Sequence, residues 1–134
     1  MPYLLDTSTW IKHLHARVGS RVAELIERRE LYVCELVELE FLNAAKNAAA
    51  WTSNREVLRE LEPIEMPRAV YRVALDLQYA LASRQLVGRK LPDLLIAAAA
   101  IESGLTVLHY DADYEHISTI SSLRQEWVVP RGTI

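Results

Sequence analysis

Cysteine, glycine and long apolar runs are scarce in this sequence, and each shortage excludes a class of protein. Cys34 is the only cysteine, so an internal disulfide is excluded, and such sparing use of cysteine is typical of a reducing cytoplasm. Four glycines are few for a turn-rich all-β fold. The longest apolar run, 94–101, falls far short of the roughly 20 residues that a transmembrane helix needs. We therefore expect a soluble, cytoplasmic protein that does not enter a membrane.

The chain offers no linker at which to divide it. No stretch is rich in Pro, Gly and Ser, and a length of 134 residues fits one domain, which we expect to span residues 1–134. Hydrophobic residues make up 51% of the sequence, which is enough for a substantial core.

Segments with strand-like and helix-like patterns alternate along the chain. The segments typical of short buried strands are 3–5, 31–34, 105–108 and 126–129, with 64–66 as a minor strand or a loop. Helical spacing of apolar residues occurs at 7–14, 18–29, 35–47, 51–61, 69–86 and 91–103. Gly104 is well suited to end the last of these helices. This alternation predicts an α/β fold with a parallel sheet covered on both faces.

Four acidic residues lie where such a sheet would bring them together. Asp6 and Asp111 follow apolar strands, and ligands of open α/β sheets bind outside the carboxyl ends of the strands. Asp93 begins an almost wholly apolar helix, and Glu40 lies on a helix beside its inward face. Asp113 stands two residues beyond Asp111. These positions favour one acidic site built from distant parts of the chain.

Each acid also has an ordinary structural interpretation. Asp6 could cap the helix that follows, although the hydroxyls of residues 7–9 could cap it and leave this carboxylate free. Asp93 is a still better candidate for a helix cap. Asp111 and Asp113 suit a turn. The argument for a site depends on the whole set, because chance seldom places a lone acid at the end of each apolar element.

An oxygen-only set of donors indicates a particular cofactor. Carboxylates suit Mg²⁺ or Mn²⁺, and the sequence has no Cys/His pattern for zinc. A divalent ion in such a cluster lowers the pKa of water and stabilises charge on a phosphodiester. The formal net charge of −3 does not argue against a nucleic-acid substrate, because bound cations offset negative charge at the site. The acids therefore predict metal-dependent phosphodiester hydrolysis.

Four motifs occur in an order that resembles one family. They are Leu4-Leu5-Asp6-Thr7-Ser8, the stretch 37–42 around Glu40, Leu91-Pro92-Asp93-Leu94-Leu95, and His109-Tyr110-Asp111-Ala112-Asp113-Tyr114. Over nearly the whole chain this pattern is similar to that of the PIN-domain nucleases, and in particular to the VapC-type toxins of bacterial toxin–antitoxin modules. The resemblance implies a three-layer α/β/α fold with a central, mostly parallel sheet. It also implies Mg²⁺- or Mn²⁺-dependent endoribonuclease activity, a homodimer, and a cognate antitoxin that lies across the active site.

The resemblance assigns roles to individual residues. It makes Asp6, Glu40, Asp93 and Asp111 the catalytic metal ligands, with Asp113 as a further acid that binds the metal directly or through water. Thr7 or Ser8 would support these ligands through hydrogen bonds. Tyr114 stands where the family usually has Phe, which is a conservative aromatic exchange.

Glu38 competes with Glu40 for the helical ligand position. A shift of two residues aligns Glu38 with the motif, and residues two apart do not share a helix face, so only one of the two can point into the site. We favour Glu40 because the stretch 41–44 continues the family pattern better.

Three other interpretations can be weighed against the sequence. A response-regulator receiver needs paired acids after its first strand, and a haloacid-dehalogenase-type phosphatase needs Asp-x-Asp there, whereas Asp6 stands alone. A catalytically silent PIN-like protein-binding module, whose acids hold a partner's arginine, remains the alternative to a nuclease.

A basic trio precedes Asp93 in the chain. Arg84, Arg89 and Lys90 lie close to the expected site and could hold RNA phosphates. An equally simple interpretation is a solvated loop between two helices.

Overall fold

The computed structural model describes residues 2–86 and 90–134. The strands are β1 (Tyr3–Leu5), β2 (Leu31–Cys34), β3 (Glu62–Ile64), β4 (Thr106–His109) and β5 (Arg124–Trp127). The helices are α1 (Thr7–Ile11), α2 (Ala16–Glu27), α3 (Glu35–Asn43), α4 (Ala48–Leu58), α5 (Arg68–Ser83), α6 (Leu91–Ser103) and α7 (Asp113–Ser118). None of the helices within these ranges is long and apolar enough to cross a membrane.

The strands of the described ranges form one five-stranded sheet in the order β3-β2-β1-β4-β5. Every neighbouring pair runs parallel. Helices flank the sheet, so the predicted α/β fold with a parallel sheet is confirmed. The first strand of the chain is the central one, and the strand order reverses around it. Such a reversal opens a crevice at the carboxyl ends of the two strands involved, which here are β1 and β4.

The core lies around these two central strands. Leu4 and Leu5 of β1 and Val107 and Leu108 of β4 are wholly buried. Helix α6 packs against β4 and α5, and its alanines, residues 97–100, are wholly buried too. Small side chains at these positions let the helix pack closely against its neighbours. Gly104 ends α6 in the left-handed conformation, at a φ of 70°, as a glycine cap does.

The two edge strands lie two residues earlier in the sequence than the apolar pattern predicts. Strand β3 ends at Ile64 rather than beginning there, and it contains Pro63, which an edge strand tolerates. Strand β5 ends at Trp127, whereas the apolar pattern points to 126–129. Apolar side chains mark the centre of a sheet well, whereas β3 contains a proline and β5 is mostly polar and partly solvated, so neither edge strand has the pattern of a buried strand. Helix α7 was not predicted, since the stretch 110–114 has the composition of a turn.

Candidate active site

Asp6 leaves the carboxyl end of β1 and is held by its neighbours on both sides. Its backbone N–H donates to Leu108 O at 3.0 Å, which aligns it with the end of β4. The side chain is 3% exposed. It is also the N-cap of α1, because Oδ2 accepts a hydrogen bond from Ser8 N at 2.9 Å.

The expectation that the hydroxyls of residues 7–9 cap α1 is therefore wrong. Each of these hydroxyls has another partner in the structure. Thr7 Oγ1 donates to Glu40 Oε1 at 2.8 Å, and Thr9 Oγ1 donates to Leu108 O at 2.9 Å. Ser8 Oγ donates to Asp6 Oδ2 and accepts from Tyr110 N at 2.9 Å. Ser8 thus ties the end of β1 to the segment that follows β4.

Glu40 and Glu38 have different surroundings on α3. Glu40 is joined to the end of β1 by the bond from Thr7, which brings it to the Asp6 side of the fold. Glu38 forms an ion pair with Arg55 of α4, on another side of the helix. The geometry therefore agrees with Glu40, rather than Glu38, as the acid of α3 that faces the site.

Asp93 lies in the first turn of α6. The N-cap of this helix is Lys90, so the capping interpretation of Asp93 is wrong. Its side chain is 6% exposed, and Oδ2 has no hydrogen-bond partner among the described residues. A buried carboxylate oxygen without a donor is costly and points to a missing positive partner.

Asp93 is the centre of the group of acids that the fold brings together. Carboxylate oxygens of Asp93, Asp111 and Asp113 all lie within 4.8 Å of one another. Asp111 Oδ1 also accepts from Asp113 N at 2.9 Å, which fixes the two aspartates relative to each other. Asp6 reaches this group through a tyrosine, and Glu40 stands outside it, beside Thr7.

The electrostatics of the group act most strongly on Asp93. Burial, reinforced by the charges of Asp6, Asp111 and Asp113, raises the pKa of Asp93 to about 7, and Lys90 opposes this rise. In the absence of a cation, neutral pH therefore leaves much of Asp93 protonated. A divalent cation among these oxygens would favour the ionised form and relieve the repulsion.

Tyr114, in α7, contributes a contact that the sequence did not reveal. Its side chain is wholly buried, and its hydroxyl donates to Asp6 Oδ1 at 2.5 Å while lying 3.4 Å from Asp93 Oδ1. Burial and the nearby carboxylates raise the pKa of Tyr114 well above 10, so the hydroxyl keeps its proton. The departure from Phe was the one available signal, but the pattern says nothing about where the hydroxyl points.

His109 contacts the backbone of Asp111, one of the clustered acids. It is wholly buried at the end of β4, and burial lowers the pKa of its imidazole, which is therefore neutral at pH 7. Its Nδ1 accepts from Asp111 N at 3.1 Å, so the proton is on Nε2 and is donated to Gln125 Oε1 at 2.6 Å. The histidine thus orients the backbone of Asp111 rather than binding a ligand.

The basic residues before α6 lie partly within the described ranges. Arg84 and Lys90 are exposed to solvent. Lys90 is close enough to Asp93 to act on its pKa. Arg89 lies outside the described residues.

A parallel sheet with acids gathered beyond its central strands defines an α/β protein with an acidic candidate active site. Comparison with known families identifies the family. The model of the PIN domain matches residues 3–120. The chain belongs to the PIN-domain family, as the motifs predict.

Relatives of similar length match the chain from end to end. Ribonuclease VapC51 of Mycobacterium tuberculosis is 42% identical over 135 residues, which cover 100% of this chain and 98% of the relative. Ribonuclease VapC18 of the same species is 32% identical and covers 100% of both.

Solved structures show the same fold. One is the structure of VapBC2 from Rickettsia felis bound to a DNA fragment from its promoter. A chain in it has a TM-score of 0.76 at 21% identity, with coverage of 95% of this chain and 98% of that one. A chain in the VapBC-1 structure from nontypeable Haemophilus influenzae has a TM-score of 0.77 at 15% identity, with coverage of 96% and 98%.

Proposed function

We propose that this protein is an endoribonuclease that hydrolyses RNA phosphodiester bonds with the help of Mg²⁺ or Mn²⁺, and that it is the toxin of a toxin–antitoxin pair. The observation that carries the proposal is the buried Oδ2 of Asp93, which has no hydrogen-bond partner among the described residues, within a group of three carboxylates in a PIN-domain chain. The end-to-end relatives named ribonuclease support the choice of RNA as substrate.

The residues present fit a hard divalent cation. Asp93, Asp111 and Asp113 would hold it, and all their donor atoms are carboxylate oxygens, which Mg²⁺ and Mn²⁺ prefer. A cation in this group would lower the pKa of water and would offset the negative charge that develops on the phosphodiester oxygens.

The chain's own residues position the reactants. Asp6 is fixed by Ser8 and Tyr114 at the edge of the three acids. Thr7 Oγ1 donates to Glu40 Oε1, which holds a further carboxylate, from α3, beside the end of β1. These carboxylates can orient a water molecule toward the phosphorus; its oxygen forms a new P–O bond, one bridging P–O bond breaks, and a proton from the water passes to the leaving oxygen.

In this proposal RNA phosphates are held by the basic residues that precede Asp93 in the sequence, Arg84, Arg89 and Lys90, of which Arg84 and Lys90 are exposed and Arg89 lies outside the described residues. Their charges hold phosphates and reduce the repulsion between the RNA backbone and the acidic group. We further propose that the chain works as one domain in the cytoplasm, as a homodimer, and that a cognate antitoxin covers its active site. The matched chains from Rickettsia felis and Haemophilus influenzae belong to VapBC structures, which supports such a partner.

The experiment that tests this function is incubation of the purified, partner-free protein with total cellular RNA in Mg²⁺, in Mn²⁺ and in EDTA. The Asp93→Asn variant is run beside Asp76→Asn, the same change at an exposed position of α5. We expect discrete fragments from the wild type and from Asp76→Asn with metal only. Intact RNA in every condition, from folded protein, would overturn the proposal and favour the catalytically silent binding module.

A further inference from the structure

Lys12 lies against the aromatic face of Tyr110. Its ammonium nitrogen is 4.9 Å from the centre of the ring, within the range of a cation–π contact. Lys12 is the C-cap of α1, and both residues are partly buried. Among the described residues, no carboxylate forms an ion pair with this lysine. The fold therefore holds a positive charge in place without neutralising it.

The ring of Tyr110 is itself fixed at the edge of the acidic site. The backbone N–H of Tyr110 donates to Ser8 Oγ at 2.9 Å, and Ser8 in turn binds the carboxylate at the end of β1. The hydroxyl of Tyr110 donates to Ile134 O at 3.2 Å and accepts from Gly132 N at 3.0 Å. The aromatic ring that carries the lysine is thus attached both to the site and to the last residues of the chain.

Helix α1 places this charge close to the acids. Asp6 is the N-cap of α1 and Lys12 is its C-cap, and a helix advances by roughly 9 Å from residue 6 to residue 12. Tyr110 directly precedes Asp111, one of the three clustered acids. A stacked nucleic-acid strand advances by about 3.4 Å per nucleotide, so two or three nucleotides cover this distance. A strand with one phosphate at the acids can therefore bring another phosphate to Lys12.

We propose that Lys12, held on the ring of Tyr110, is a phosphate-binding residue for the RNA strand close to the phosphate at the acids. The proposal rests on the proposed function, since it concerns how the same substrate is held. The acids repel the RNA backbone, and a fixed ammonium beside them offsets part of this repulsion. A lysine that is already ordered on a ring also loses less conformational freedom on binding than a free surface lysine.

A second cation lies over a ring nearby, but it is already paired. The ring of Tyr110 meets the ring of Trp127 edge-on, with centres 5.1 Å apart, and the guanidinium of Arg131 lies 5.5 Å from the centre of the Trp127 ring. Arg131 also lies 3.7 Å from a carboxylate oxygen of Glu115. This acid offsets the charge of Arg131, so the observations favour Lys12 as the residue that binds phosphate.

The test measures the binding of a labelled, unstructured single-stranded RNA in EDTA at several salt concentrations, and KM and kcat for cleavage of total cellular RNA in Mn²⁺. Lys12→Gln removes the charge and Lys12→Arg keeps it. Tyr110→Leu removes the ring but leaves the lysine charged, and Tyr110→Phe keeps the ring. Lys46→Gln, at an exposed position after α3, is the matched control. The melting temperature of each variant reports whether the fold is intact.

We expect Lys12→Gln to raise the Kd for RNA several-fold and to reduce the slope of log K against log salt by about 0.7, the value of one phosphate contact on a single strand. Lys12→Arg, Tyr110→Phe and Lys46→Gln should keep the wild-type slope. Tyr110→Leu should raise the Kd about threefold at an unchanged slope, because it frees the lysine without removing its charge. In Mn²⁺, Lys12→Gln should raise KM and leave kcat nearly unchanged, because the contact lies away from the phosphate that is cut.

Equal salt slopes for Lys12→Gln and Lys46→Gln would overturn the proposal, and a lowered melting temperature with wild-type RNA binding would show that the contact only stabilises the fold. A fall in kcat at constant KM would also contradict it. If the wild type cleaves RNA and Lys12→Gln binds and cleaves equally well, only this inference fails. If the slopes change as expected but the wild type cleaves no RNA, the role of Lys12 is supported and the proposed ribonuclease function fails. If the wild type binds no RNA, both fail.

Discussion

Thr7 Oγ1 donates a hydrogen bond of 2.8 Å to Glu40 Oε1, across 33 residues of sequence. The bond joins the first residue of α1 to the middle of α3, so the end of the central strand fixes where an acid from another layer stands. Glu38, only two residues earlier, is instead paired with Arg55 of α4. The sequence leaves Glu38 and Glu40 as rival candidates for the acid that α3 contributes to the site, and these different partners distinguish them.

The two glutamates should respond differently to the same change. We expect Glu40→Gln to reduce RNA cleavage by at least an order of magnitude, as loss of a catalytic carboxylate does. Glu38→Gln should leave cleavage unchanged and lower the free energy of unfolding by about 0.5–1 kcal/mol, because its ion pair with Arg55 is only partly shielded from solvent. Cleavage rates and urea denaturation of both variants check this. A loss of cleavage confined to Glu38→Gln would reverse the assignment.

Divalent cations should stabilise the folded protein. A cation that binds only the native state adds about 2.7 kcal/mol to the free energy of unfolding at a hundred times its Kd. We expect Mn²⁺ and Mg²⁺ to raise the melting temperature of the wild type by several degrees, and Asp111→Asn to lose most of this rise because it removes one of the three clustered carboxylates. Asp76→Asn, outside the site, should keep it. Equal metal responses of the two variants would exclude Asp111 as a ligand.

The raised pKa of Asp93 predicts how stability without metal depends on pH. The ordinary value of 3.8 holds in the unfolded chain, and the folded value is about 7, so between these the folded state keeps a proton that the unfolded chain has lost. The contribution of Asp93 therefore lowers the free energy of unfolding as the pH rises from about 4 to 7. Above pH 7 the folded state carries the full cost of an ionised Asp93.

Asp93→Asn removes this penalty, since the amide carries no charge. In EDTA at pH 8 we expect the variant to be more stable than the wild type by roughly 2–4 kcal/mol, and at pH 4 to be nearly equal to it. Denaturant unfolding of both proteins at the two pH values is the measurement. A variant that is less stable at pH 8 would show that Asp93 is not under repulsion.

The exposed Lys90 should contribute to RNA binding through charge alone. In EDTA, where RNA stays intact, Lys90→Ala should weaken binding several-fold and reduce the slope of log K against log salt by about 0.7, the value for one phosphate contact on a single strand. Lys46→Ala, an exposed lysine outside the site, is the matched control. Identical salt slopes for both variants would return Lys90 to the solvated-loop interpretation.

The sequence predicts the layout of this fold much better than its hydrogen bonds. Strand β1 and helix α6 have the predicted bounds, because a buried strand and an almost wholly apolar helix leave strong local patterns. Lone acids beside these elements are visible for the same reason. The edge strands β3 and β5 lie two residues before their predicted positions, because Glu62-Pro63 and Arg124-Gln125, with which they begin, lack the apolar pattern of a buried strand.

The contacts within the site join residues that are far apart in the sequence, so no local sequence pattern predicts them. Tyr114 and Asp6 are 108 residues apart, and only the completed sheet brings the hydroxyl to the carboxylate. In the same way, the hydroxyls of residues 7–9 have the composition of a cap, but each is used by a partner from another element, so Asp6 itself caps α1.

The central claim is that these acids act together on RNA through a divalent cation, with Asp93 at their centre. The most direct test is the initial rate of RNA cleavage as a function of Mn²⁺ concentration, for the wild type and Asp93→Asn. We expect a rate that saturates with Mn²⁺ in the wild type and is negligible in EDTA. In folded Asp93→Asn we expect a rate at least a thousandfold lower at every Mn²⁺ concentration, which corresponds to a barrier higher by on the order of 4 kcal/mol. Cleavage by Asp93→Asn at the wild-type rate, or wild-type cleavage that persists in EDTA, would contradict it.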